Sequence, residues 1–294
     1  MLIGLLMLAG GAAAGAFGSL LGLGGGVLIV PLLTIGFGLD LRAAVGVSLV
    51  CVIVTSSAAA GVYLERRVAN LRLAMTLELF TVIGALIGGS IAFLLDERLL
   101  SLLFAALLAY VAFTMARPRA AVTVASEDPA PMLDVADEPV ASAGVASAGL
   151  PDASSAGRRR DDFLASLSGD GYRIHALGRG VAGSTGAGVV SALLGIGGGI
   201  IKVPLMHLAM GVPLRVATAT SNVMIGITAA ASAVIYLLRG EIDPYVAGPT
   251  AIGVFVGATL GSRLAPRIDL HWLRIAFVVV LGWTAVQMLI RGFG

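Results

Sequence analysis

Apolar stretches of about 20 residues recur along almost the whole chain, and that is the length a helix needs to cross a bilayer. Only 12% of the 294 residues are charged, while 58% are hydrophobic. A soluble domain carries about 25% charged residues, so there is too little charge here to coat a water-facing surface. An open strand cannot satisfy its backbone in lipid, so the apolar stretches are expected to be helices. The fold expected is therefore an all-α polytopic membrane protein. The first 30 residues carry no charge. They lack the basic leader of a signal peptide and are expected to be the first membrane element, kept in the mature protein.

The same numbers exclude several function classes. A formal net charge of +2 is no footprint for nucleic acid. The single cysteine, Cys51, sits in an apolar stretch, so no disulfide framework and no Cys-based metal site is expected. Its simplest role is that of a small buried hydrophobe. With three histidines, no metal-ligand cluster and no Ser–His–Asp set, the chain does not resemble an enzyme. No cofactor and no metal is expected.

A shift of the sequence against itself by 173 positions aligns two halves without a gap. Gly22-Leu23-Gly24-Gly25-Gly26 falls on Gly195-Ile196-Gly197-Gly198-Gly199. Pro31 falls on Pro204, Arg42 on Arg215, Ser48 on Ser221, Thr55 on Thr228, Tyr63 on Tyr236, Gly84 on Gly257 and Gly88 on Gly261. A constant offset over such a length points to duplication rather than shared composition. Residues 1–116 are read as the first transmembrane repeat and 179–294 as the second. Residues 117–178 are rich in Ala, Ser, Pro, Asp and Glu and include Arg158-Arg159-Arg160. That composition cannot bury a core, so a mostly disordered, water-exposed linker is expected. His175, at its end, has no candidate partner for metal binding.

Each half is expected to hold four elements: 2–37, 41–64, 71–95 and 99–115, then 180–210, 214–238, 244–264 and 273–290. This makes about eight transmembrane helices. The first element of each half is broken by its glycines. Residues 180–194 and 200–210 reach only about 15–22 Å each, too short to cross alone. Three adjacent glycines are a poor helix interior, at about 1 kcal/mol each. They permit positive φ and let backbone approach a ligand closely. Such breaks at matching places in two repeats mark the substrate site of a transporter. The half-helix that follows would aim its N-terminal amides at the break. Gly24, Gly25, Gly26, Gly197, Gly198 and Gly199 are the candidate backbone site. Gly84, Gly88, Gly257 and Gly261 fit close helix packing instead. A nucleotide-binding turn is disfavoured, since no strand precedes the glycines and no P-loop lysine pattern follows.

The arginines bear on whether the broken element crosses or turns back. If it crosses, basic residues divide almost evenly between the two faces. If it is a hairpin, Arg66, Arg67, Arg72, Arg215, Arg263, Arg267 and Arg274 lie with the linker, against Arg42, Arg98, Arg239 and Arg291. The hairpin gives the better positive-inside bias and puts the linker in the cytoplasm. Inverted repeats with a re-entrant first element are expected, although the length of the first segment argues the other way.

Ionisable groups at membrane depth are functional candidates by default. Lys202 stands two residues before Pro204, and Ile29 takes its place in the first half. A cation on one side only of a duplicated scaffold suggests an asymmetric anion site. Snorkelling to the interface is the bland alternative. Arg42 and Arg215 open the second helix of each half, where interfacial anchoring is an equally good account. Ser48 and Ser221, with Asn222 beside the latter, are candidate substrate contacts. Ser48, Cys51 and Thr55 share one face, as do Ser221, Met224 and Thr228. Glu78 faces Ala251 in the alignment and is a candidate coupling group, unless it snorkels toward Arg66, Arg67 or Arg72. His207, opposite Thr34, is a further candidate for the cavity wall.

Two copies of Gly-hydrophobic-Gly-Gly-Gly, each followed by Val-Pro, resemble the TauE/SafE sulfite exporter family, also called TSUP. They read Gly22 to Pro31 and Gly195 to Pro204. The Arg-x-Ala-x-x-x-Ser at Arg42–Ser48 and Arg215–Ser221 is similar to the family's second signature. The resemblance covers both halves and leaves out the linker and extreme ends. It implies a bacterial or archaeal inner-membrane permease with eight transmembrane segments. It also implies a small anionic substrate, often containing sulfur: sulfite, thiosulfate or a sulfonate such as sulfoacetate. The long linker departs from the compact family pattern.

The expected function is transport, in the export direction, of such an anion by alternating access around the two glycine breaks. An anion channel through the same site is the alternative, as is a transporter of an unrelated small solute. A sensor that signals through the linker is a third class. The partners expected are the anion and membrane lipid, with no nucleic acid. Small residues on the helices allow a homodimer without requiring one.

Overall fold

The computed structural model describes residues 2–20, 26–65, 68–116, 174–264 and 270–293. Gly24, Gly25, Arg66, Arg67 and residues 117–173 of the expected linker lie outside them. Ten helices follow in order. They are α1 (Leu2–Leu20), α2 (Gly26–Pro31), α3 (Leu41–Glu65), α4 (Leu71–Ala92) and α5 (Glu97–Ala116). Then come α6 (Leu177–Leu194), α7 (Gly199–Pro204), α8 (Leu214–Leu238), α9 (Pro244–Leu264) and α10 (Leu270–Phe293). The broken element thus contributes two helices to each half, where one interrupted element was expected. Six helices, α3, α4, α5, α8, α9 and α10, are long and apolar enough to cross a membrane. Large apolar side chains such as Leu79, Ile83 and Ile87 of α4 point outward, as lipid requires.

The bounds repeat at the offset read from the sequence. Gly26–Pro31 and Gly199–Pro204 start 173 residues apart, as do Leu41–Glu65 and Leu214–Leu238. Each short helix ends at its proline and runs on as a single π-helical turn, Leu32–Gly36 and Leu205–Ala209. Proline supplies no N–H to the ladder, and a wider turn absorbs the slipped register. Both turns close alike: Leu39 N donates to Leu33 O at 3.1 Å, and Val212 N to Met206 O at 3.0 Å.

The broken element turns back on itself. His175 N, just before α6, donates to Met210 O, just after α7, at 3.1 Å. A methyl on Gly183 would collide with Leu205, and one on Gly180 with Met210. In the first half, a methyl on Gly10 would lie 3.1 Å from Leu32. The return arm therefore runs antiparallel beside the arm that precedes it. Gly195 caps α6 with φ 69°, and Gly197 and Gly198 follow with φ 79° and 74°, a path that only glycine follows without strain.

The strongest helix pairs all join one half to the other: α1 on α9, α4 on α6, α5 on α10 and α3 on α8. Glycine makes two of these possible. A methyl on Gly84 or Gly88 would collide with the backbone of Thr185 or Val189 of α6. One on Gly253 or Gly257 would collide with the backbone of Leu8 or Ala12 of α1. These are close backbone approaches of the small-residue kind. The direction of the pairs is legible in the same contacts. Gly46, early in α3, lies against Tyr236, late in α8, while Gly226 lies against Ser56, so α3 and α8 are antiparallel. Gly292, at the end of α10, lies against Arg98 and Leu102, at the start of α5.

Candidate functional site

The two breaks meet in the middle of this arrangement. The hydroxyl of Ser48 lies 2.7 Å from Gly195 O and 3.2 Å from Gly26 O, as donor to both carbonyls. One side chain thus ties the first break to the second. Val52, one turn further along α3, packs against Gly26 and Gly197, and its counterpart Ile225 on α8 packs against Gly197 and Gly199. Neither Val52 nor Ile225 was marked by its residue type. Helical spacing from Ser48 and Ser221 was the signal that could have found them.

Beside the second break stands a buried polar triad. Lys202 of α7 is 1% exposed and Glu78 of α4 is 4% exposed. Lys202 Nζ lies 3.1 Å from Glu78 Oε2 and donates to Thr228 Oγ1 of α8 at 2.6 Å. Thr228 Oγ1 donates in turn to Glu78 Oε1 at 2.5 Å. An isolated charge at this depth would be prohibitively placed, and each ion answers the other. Glu78 does not reach toward Arg66, Arg67 or Arg72. Its partner is the one other ionisable group expected at depth. In the first half the matching positions hold Ile29, Ala251 and Thr55, so the ion pair has no copy there.

The remaining candidates divide. Ser221 is buried and its hydroxyl has no partner; it lies 3.8 Å from where a Cβ on Gly199 would stand. Asn222 donates back to Thr218 O at 3.0 Å and stays with its own helix. Thr55 donates back to Cys51 O at 3.1 Å. His207 Nδ1 lies 2.9 Å from Val212 O, across the π-helical turn. Arg215 is exposed at the start of α8. Arg42 is far from the breaks in its bonding: it donates to Leu95 O at 2.7 Å and lies over the Phe93 ring, which Arg239 also covers. That is the setting of an interfacial anchor. Cys51 is fully buried, as its apolar stretch implied. Among the described residues no group of His, Cys, Asp or Glu has the arrangement of a metal site.

A separate cavity of about 270 Å³ opens between the loop before α3, the start of α5 and the end of α10. Asp40, Glu97, Arg98 and Arg291 line it with both signs of charge, and it touches neither break. Glu97 is tied there to the backbone N–H of Leu41 at 3.0 Å.

With two broken helices, paired glycine-packed crossings and the Arg-to-Ser motifs in place, the family pattern described as "Sulfite exporter TauE/SafE" matches residues 7–288. The chain belongs to the TauE/SafE family. Its relatives include the probable membrane transporter protein YunE of Bacillus subtilis, 24% identical over 96% of both chains. TauE/SafE family protein 6 of Arabidopsis thaliana is 34% identical over 35% of this chain, which spans only 24% of that relative. The probable membrane transporter protein MamO of Magnetospirillum gryphiswaldense is 29% identical over 35% of this chain and 17% of its own. No solved structure matches. This TauE/SafE chain is thus a multi-pass protein of a membrane transporter family.

Proposed function

We propose that this TauE/SafE protein exports a small, sulfur-containing anion, such as sulfite, thiosulfate or an organosulfonate, by alternating access. The observation that carries the reading is the junction at Ser48, where two re-entrant hairpins from different halves come together. Broken helices at matching places are where transporters of repeated architecture hold their substrate. The anion would lie against the glycine backbone, with Lys202 supplying positive charge and Ser48 and Ser221 supplying hydroxyls. Glu78, on the same ion pair, is the coupling group. The architecture proposed is two inverted repeats, each of one re-entrant hairpin and three crossings. The antiparallel pairing of α3 with α8 and of α5 with α10 supports it. The Arg-rich face then places the linker in the cytoplasm of a bacterial or archaeal cell.

Lys202, Ser48 and Ser221 are all buried, which favours a gated cycle over an open channel. The test is reconstitution in liposomes with labelled sulfite, thiosulfate, sulfoacetate and sulfate. Saturable counterflow of one of them, lost in Lys202→Ala, is expected. Single-channel conductance, or normal rates in folded Lys202→Ala and Gly198→Leu/Gly199→Leu proteins, would sink the transporter mechanism.

A further inference from the structure

Around the second break, buried donors stand without acceptors. Ser191 of α6 is 0% exposed and Ser221 1%, and neither hydroxyl has a partner. A buried hydroxyl left unpaired costs about 1–3 kcal/mol, so such an atom signals a missing partner. Lys202 uses two of its three N–H donors, on Glu78 and Thr228. These groups converge. The place a Cβ on Gly198 would take is 3.3 Å from Ser191 Cβ and 3.6 Å from Lys202 Cε. The place a Cβ on Gly199 would take is 3.8 Å from Ser221 Oγ. Two glycines keep side-chain atoms out of the space the donors share.

The first half offers nothing comparable. Gly18, Ile29 and Ala251 stand where Ser191, Lys202 and Glu78 would be. Ser48, which matches Ser221, already donates to Gly195 O. The unsatisfied donors and the buried ion pair therefore belong to one place, and the only anion there is the carboxylate of Glu78.

We infer that Lys202, Ser191 and Ser221 form an oxyanion site in which Glu78 stands in for the absent substrate, so that each anion bound brings one proton onto Glu78. The inference rests on the anion-transport reading above. In the empty protein, Glu78 neutralises Lys202. An arriving oxyanion takes its place on the ammonium, and Ser191 and Ser221 donate to the oxyanion. Glu78 accepts one proton and remains as a neutral acid. One ion pair breaks and one forms, and the site holds one positive and one negative charge before and after. Thr228 is placed to follow the exchange, because its hydroxyl reaches Met224 O at 3.0 Å as well as Glu78.

Other titratable groups on the packed elements are engaged elsewhere or lie outside. Arg72 of α4, Arg179 of α6 and Arg215 of α8 are exposed. His207 beyond α7 faces Val212 O, and Tyr236 of α8 donates to Ala192 O at 3.0 Å. Cys51 of α3 is a buried thiol. Among the described residues, Lys202 is the ion-pair partner of Glu78. Proton and anion move together, so the pH gradient enters the driving force and sets the direction of net flux with the anion gradient.

The test is titration calorimetry of the full chain in detergent with sulfite, thiosulfate and sulfoacetate, in buffers of different ionisation enthalpy. Thiosulfate has no proton to exchange near neutral pH, and sulfite's own protonation is subtracted from a protein-free titration. Wild type should take up about one proton per anion, and its affinity should fall about tenfold per pH unit once Glu78 is ionised. Glu78→Gln should take up none, bind with a flat pH profile and exceed wild type at alkaline pH. Ser191→Ala should bind several-fold more weakly, as loss of one hydrogen bond implies, with its proton count unchanged. A count of zero in wild type, or of one in Glu78→Gln, overturns the exchange and leaves anion binding standing. Binding of none of the probes to either monodisperse protein overturns both the exchange and the proposed function. Should Glu78→Gln not fold, the wild-type count and slope decide alone.

Discussion

Lys202 and Glu78, 124 residues apart in the chain, form a 3.1 Å ion pair inside the helical bundle and join the second half to the first. Removing one member of a buried pair leaves an uncompensated charge and costs about 3–5 kcal/mol, whereas replacing both by apolar groups is often neutral or stabilising. Lys202→Met and Glu78→Leu should each lower the unfolding midpoint in detergent sharply. The double variant should recover most of the loss while remaining inactive. Additive losses in the double variant would mean that the two charges do not rely on each other.

Ser48 and Ser221 occupy matching positions but should behave differently. Ser48→Ala loses the hydrogen bond to Gly195 O, and a net loss of about 0.5–1.5 kcal/mol is expected. Ser221→Ala removes a hydroxyl with no partner, so stability should hold or rise while anion affinity drops. Thermal unfolding and binding on the same two preparations separate these outcomes. Equal destabilisation by both substitutions would contradict the asymmetry of the junction.

Gly84 and Gly257 hold the crossings that join the halves. Gly84→Ala and Gly257→Ala would each drive a methyl into the backbone of the facing helix, with overpacking at about 1–3 kcal/mol. Gly61→Ala and Gly282→Ala are helical controls with open space around the new methyl. Those controls should be neutral, or stabilised by up to about 1 kcal/mol from helix propensity. Expression yield and unfolding midpoint of the four variants check this. Indifference at Gly84 and Gly257 would refute the close approach.

The hairpin makes a topological prediction. In a Cys51→Ser background, cysteines placed at His175 and Arg215 should react with a membrane-impermeant maleimide from one face. Cysteines at Leu94 and Tyr245 should react from the other. All four positions are exposed. A broken element that crossed the bilayer would put His175 and Arg215 on opposite faces.

Much of this was legible in the residues. The offset of 173 positions placed the breaks, and the helix bounds follow it closely because apolar length and glycine runs are local signals. The pairing of helices was not legible. A Gly-x-x-x-Gly surface announces a close neighbour and carries no address for it. Nothing in the spacing of Gly84 and Gly88 says that the neighbour is α6 rather than a helix of its own half. The ion pair was missed for a related reason. Self-alignment compares Lys202 with Ile29 and Glu78 with Ala251, which finds lost symmetry but not partnership. Two opposite charges, each unmatched in a duplicated apolar scaffold, were the available hint, since each at depth needs the other. Arg42 and Arg215 looked alike in sequence and differ in surroundings, because only Arg42 has Leu95 O and Phe93 within reach.

The crossing of partners between halves has a consequence for how the protein is made. When α4 leaves the ribosome, the helix that covers Gly84 and Gly88 has not yet been synthesised, and α1 waits longer still for α9. The first half must therefore sit in the bilayer with its glycine faces open to lipid until the rest of the chain arrives. Neither half made alone should mature into a stable product, yet the two expressed as separate polypeptides, cut between α5 and α6, should find each other and assemble.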